Sequence, residues 1–285
     1  MHAQESEPQS PVEPDWRQAL PSFDETASRR DGVSEEVENR HLRGTCALIQ
    51  DTGIKIGFPQ WAICSAMHLF HLYFSRRSTR RNDRFLIAVA SLFLAGKINE
   101  SCRPPKEIIV AAWVLKCKGN RQLRQMLNDL RFLDMMCEQV IQTERVVLSI
   151  VGFDFSWTSP HTHMLKLVTK FDLANQRGPN SVAQLSLNLL NDCMRSNLCV
   201  RFPSEALAAG ALTFACAIKD VEVDHSVLWE NADIQRSPEV LQAFLQLYED
   251  SSLDTTIPIP ENPCVKEFSN GSEGEGEQRI LDVQD

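Results

Sequence analysis

The chain has 285 residues, 43 % hydrophobic and 24 % charged, with a formal net charge of −9. Residues 1–30 hold six acids against three Arg and residues 251–285 hold eight against Lys266 and Arg279, so the ends carry −3 and −6 and the body is about neutral. A neutral body argues against a main partner bound through its phosphate backbone. No stretch approaches the ~20 apolar residues of a membrane span, and MHAQESEPQSPVEPD has neither the basic start nor the apolar run of a secretory signal.

In chain order, residues 1 to about 33 are rich in Pro, Ser, Glu and Gln and are expected to be largely disordered. Periodic apolar positions then predict helices over 35–52, 59–75, 83–99, 104–118, 128–151, 160–172, 181–197, 203–219 and 238–248. Pro59, Pro104, Pro203 and Pro238 stand at or beside first turns, where a missing amide costs no hydrogen bond, and Gly152 follows the longest helix as a stop. Residues 251–285, which contain SNGSEGEGEQ, form a second disordered, acidic end. With only two Tyr and an apolar set weighted to Leu, Ala and Val, the fold class is all-α.

An internal repeat divides the body. LIAVASLFLAGKI (86–98) lies on ALAAGALTFACAI (206–218) at an offset of 120, which sets Ala88, Ser91 and Ala95 opposite Ala208, Ala211 and Ala215. Small residues at i, i+3 and i+7 form one face and let neighbouring helices approach closely. Two consecutive bundles, each around a small-faced central helix, are expected.

No catalytic constellation is present: there is no P-loop, no G-x-S-x-G elbow and no kinase signature. The nine Cys (46, 64, 102, 117, 137, 193, 199, 216 and 264) contain no C-x-x-C pair and read as buried thiols in a reducing compartment. The pairs His68/His71 and His161/His163 lack the carboxylate and third ligand of a metal site and read as packing residues. Neither a metal nor a cofactor is expected. Arg76, Arg77, Arg80, Arg81 and Arg84 form a basic link, read as a solvated loop in preference to a nuclear signal or an RNA contact, since no aromatics interleave it.

Three segments, in order, carry a resemblance. SRRDGVSEEVENRHLRGTCALIQDTG (28–53), RNDRFLIAVASLFLAGKINESCRPPKEII (81–109) and GFDFSWTSPHTHMLKLV (152–168) resemble the first box, central helix and inter-box passage of transcriptional cyclins of the T and K types, nearest to the plant T type. The resemblance covers about residues 28–248. It implies a first cyclin box at 34–155 and a second at 156–250, between ends at 1–33 and 251–285.

It also implies an activity without chemistry of its own: binding a cyclin-dependent kinase of the transcriptional class as a heterodimer and holding the kinase's αC helix in the active position, in the nucleus, for phosphorylation of the RNA polymerase II C-terminal repeats. Lys97 and Glu144 match family charges that contact exposed main-chain groups around that helix. Such groups are left unsatisfied at helix ends, where ammonium and carboxylate address opposite termini. Leu148, Phe153 and Phe155 match apolar kinase contacts, and Ile98 and Glu100 complete the implied site. Asn99 replaces an acid of the family pattern in KINE, Leu72 replaces an Arg of the box interior, and the approach around Trp16 is degraded. A double-box nucleic-acid-binding transcription factor and a cyclin scaffold without kinase activation stand as alternatives.

Overall fold

The computed structural model describes residues 26–173, 181–230, 232 and 237–249, and among them it is helical throughout, with no strand. The order is α1 (Ala27–Arg30), α2 (Glu35–Lys55), α3 (Gln60–Arg76), α4 (Arg84–Ile98), α5 (Pro105–Lys116), α6 (Arg121–Gln125), a 3₁₀ turn (Met126–Asn128), α7 (Leu130–Val151), α8 (Pro160–Lys170), α9 (Val182–Met194), α10 (Leu198–Arg201), α11 (Ser204–Lys219), α12 (His225–Leu228) and α13 (Ser237–Glu249).

All nine predicted helices are present, and their starts follow local chemistry. Ser34 accepts from the Val37 amide at the head of α2, where Glu35, Glu36 and Glu38 complement the helix dipole. Asp83 accepts from Phe85 N at 2.8 Å at the head of α4, and Pro105 opens α5. Gly152 ends α7 at φ 77°, a left-handed position that suits a residue without Cβ.

The N-terminal expectation needs correction. Residues 26–33 are ordered because they are tied to the body: Thr26 Oγ1 donates to Glu38 at 2.9 Å, Thr79 N donates to Ser28 Oγ at 3.0 Å, and Arg80 donates to the Asp31 carbonyl at 2.8 Å. The other residues of the two expected disordered ends, Trp16 and Cys264 included, lie outside the described residues.

The small-faced helices occupy the predicted places. α4 packs against α2, α3, α5 and α7, and α11 against α8, α9, α12 and α13, with Ala88, Ser91, Ala95, Ala208, Ala211 and Ala215 all buried. The approach is close: a Cβ on Gly210 would stand 2.6 Å from Val240 Cγ1.

α3 also meets α9 and α10, and His68, His71 and His161 lie at or near this seam, while His163 faces Glu205 of α11. His161 bonds Asn191 Oδ1 at 3.0 Å, which also accepts from Gln60 Nε2 at 3.0 Å. His68 stacks on Trp157 with ring centroids 4.2 Å apart. His71 lies 3.1 Å from Cys46 Sγ and bonds the Met194 backbone. Leu72, at the position where the resemblance implies an Arg, is buried next to it in sequence.

Burial pulls the His71 pKa from 6.5 down to about 4, against the opposing Met194 bond. The folded chain therefore holds this ring neutral where the unfolded chain protonates it. That contribution is complete above about pH 6.5 and is lost as pH falls toward 4. Acidification from pH 7 to 5 should cost about 2 kcal/mol through His71, read as a falling urea midpoint. The loss should shrink in His71→Asn; an equal loss in that variant would assign the acid sensitivity elsewhere.

Candidate functional site

α4 and α7 cross so that the end of one meets the middle of the other, and the implied charges come together there. Lys97 Nζ donates to Glu144 Oε1 at 2.7 Å and Oε2 at 2.9 Å. The two charges were expected to address a partner separately; in the free chain they neutralise each other. The Glu144 side chain is 7 % exposed and that of Lys97 45 %, so a buried carboxylate is met by an ammonium that remains open to solvent. Phe93 supports the ammonium from below, its ring centroid 4.1 Å from Nζ.

The remaining implied residues border this pair. Ile98 is half-buried at the end of α4, and Glu100 is exposed with φ 53°. Asn99, in place of an acid, donates its Nδ2 to the Ala95 carbonyl at 2.8 Å and so caps α4 internally. Leu148 lies one turn beyond Glu144, half-buried against the core. Ile141, 38 % exposed, precedes Glu144 by three positions on the same helical face. The same spacing was legible in the sequence, yet Ile141 was not among the residues singled out.

Beyond Gly152 the chain turns sharply. Gly152 N and Phe153 N both donate to the Leu148 carbonyl, at 3.0 and 3.3 Å, while Arg76 donates to the Ile150 carbonyl. Phe153 is 67 % exposed and holds φ 59°, a left-handed conformation that is costly for a bulky residue. Phe155, 40 % exposed, follows on the same extended passage. An aromatic that is both exposed and backbone-strained gains nothing for folding, and such positions concentrate at functional sites.

Within the solvated basic link several Arg also bind to the body. Arg80 and Arg81 bond Asp31, Arg76 caps α7, and burial lowers the pKa of Arg84. Arg77, Arg80 and Arg81 stay exposed, so the link is solvated and at the same time clasps α1 and α7. Among the described residues no three His, Cys, Asp or Glu are grouped to hold a metal ion, and no helix is long and apolar enough to cross a membrane.

The fold and this face define a class: an all-helical protein of two bundles with a charge pair and a strained, exposed aromatic where α4 and α7 meet. Residues 22–156 match the model "Cyclin, N-terminal domain". The chain is 31 % identical over 250 residues to "Cyclin-T1-3" of Oryza sativa subsp. japonica, covering 86 % of this chain and 50 % of that protein. It is 32 % identical over 227 residues to "Cyclin-T1-4" of Arabidopsis thaliana, covering 78 % and 41 %. It is also similar to a chain in the crystal structure of the yeast RNA Pol II CTD kinase CTDK-1 complex, with TM-score 0.66, 15 % identity, and 85 % and 78 % covered.

The chain belongs to the cyclin family. It spans about half the length of the curated relatives it matches. Cyclins are non-catalytic regulatory subunits of protein kinases, and their class does no chemistry of its own.

Proposed function

We propose that this chain binds and activates a cyclin-dependent kinase of the transcriptional class, as a nuclear heterodimer that directs phosphorylation of the RNA polymerase II C-terminal repeats. The observation that carries the reading is the Lys97–Glu144 pair, bordered by Ile98, Glu100, Ile141, Leu148, Phe153 and Phe155. Likeness to T-type cyclins supports the transcriptional assignment.

In a kinase, an ion pair between a strand Lys and an αC Glu must form before ATP is oriented, so a protein that fixes αC acts as a switch. Lys97 and Glu144 present one ammonium and one carboxylate side by side, able to open toward αC-flanking carbonyls and amides once the partner seats. The exposed Phe rings supply apolar area around them, excluding water from those bonds.

Affinity purification of the tagged chain from its native cells, with mass spectrometry and a kinase assay on polymerase-tail peptide, tests the proposal. A stoichiometric kinase active on that peptide is expected, and recovery without any kinase would sink it. Phe153→Gly sharpens the test: it relieves the left-handed strain, so thermal stability should hold or rise, while recovered kinase falls about tenfold, or ~1.4 kcal/mol. Undiminished recovery would remove Phe153 from the site.

A further inference from the structure

A second surface lies apart from the α4–α7 face. The start of α2, the short α10 and the last turns of α13 enclose a polar cleft of about 110 Å³ whose walls include Arg29, Asn39, Arg43, Asn197, Arg201 and Gln246. Arg29, Arg43 and Arg201 line it with one carboxylate, Glu35; Arg29 pairs with Glu35 at 2.8 Å and with Glu38 at 3.4 Å. The body as a whole is neutral, so this positive excess is local. Asn39, Asn197, Gln246 and Ser196 share the remaining wall with Leu42, Leu198, Ala243 and Leu247, and the amides and guanidinium groups supply donors for carboxylates.

The last described helix ends beside this cleft. Gln246 and Leu247 line it, and α13 ends at Glu249. The sequence that follows, residues 250–285, carries Asp250 and eight further acids against Lys266 and Arg279.

We propose that the cleft is an anion-accepting docking site whose occupant is the chain's own acidic C-terminal segment, centred on Glu273-Gly-Glu-Gly-Glu277. Three observations carry it. The charges are complementary, and arginine's planar fork matches carboxylates in pairs. Tethering is close: Glu273 lies 24 residues past Glu249, and a coil of that length has a root-mean-square span of at least ~27 Å, lengthened by Pro258, Pro260 and Pro263, which keeps its acids at an effective concentration up to about millimolar. The alternating Gly remove side-chain bulk where the backbone must enter a narrow cleft. Docking ties α13 back onto the start of α2 and so braces the two bundles.

The test is hydrogen exchange by mass spectrometry on the full-length chain. Three proteins are compared: wild type, the triple variant Glu273→Gln/Glu275→Gln/Glu277→Gln, which alters no residue of the folded body, and Arg201→Glu, an exposed position. Amides of 198–201, 243–247 and 267–280 should exchange severalfold faster in both variants than in wild type, and salt at about 0.5 M should reproduce the change in wild type alone. Identical exchange in all three proteins overturns the proposal. So does faster exchange in only one variant: a cleft still protected in the triple variant has an occupant other than the tail, such as an acidic peptide in trans, and a tail indifferent to Arg201→Glu docks elsewhere.

Discussion

The charge swap Lys97→Glu/Glu144→Lys should leave the fold intact and abolish kinase recovery. The two side chains bond each other at 2.7 and 2.9 Å, and a reversed pair can re-form in the same crossing of α4 and α7. An exclusively internal ion pair would therefore tolerate the swap, whereas a partner reading ammonium and carboxylate in fixed places would meet each with the wrong sign. Each lost charge-assisted bond is worth ~2 kcal/mol when desolvated, or about 30-fold in affinity, before like-charge repulsion is added. The single variant Glu144→Ala complicates this by leaving Lys97 without its partner over Phe93, so part of its effect is on stability. Circular dichroism and a thermal melt on the swap, beside pull-down of the kinase, separate the two. Retained binding with retained fold would assign the pair to internal architecture.

Why was so much of this visible in the sequence? Helix starts were legible because Pro59, Pro104 and Pro203 precede first turns and Gly152 supplies a left-handed stop; these are local rules, read within one turn of chain. The small faces at Ala88/Ser91/Ala95 and Ala208/Ala211/Ala215 were legible because a central helix has no room for longer side chains. By contrast, α1, α6, α10 and α12 are four- or five-residue helices, too short for a period to register. The Lys97–Glu144 bond joins residues 47 apart, and nothing in either segment indicates that the charges meet. The Arg clasp escaped for the same reason: its anchor, Asp31, lies in a stretch whose composition reads as disordered until tertiary bonds order it.

Trp113→Ala should be the most damaging single core substitution for the proposed site, although Trp113 touches no partner. Its ring stands edge-on to Phe85, at 5.6 Å between centroids, and to Phe132, at 5.0 Å, and so joins the start of α4, α5 and the start of α7. Its Nε1 donates to the Leu123 carbonyl at 2.7 Å, pinning the α5–α7 connection, and Lys116 Nζ lies 4.0 Å from the Phe85 centroid over the same cluster. Truncation opens a cavity and orphans that carbonyl, costing about 3–5 kcal/mol, a large fraction of an ordinary domain's stability. α7 also carries Glu144, so loosening its first turns blurs the position of the carboxylate that Lys97 and the partner must both find. Trp113→Phe keeps most of the volume and loses only the hydrogen bond, so it should cost about 1–2 kcal/mol. Urea midpoints for the two variants should fall in that order, with kinase recovery falling in parallel. If Trp113→Ala unfolds no more readily than Trp113→Phe, the three-ring cluster is not what holds α7 in place.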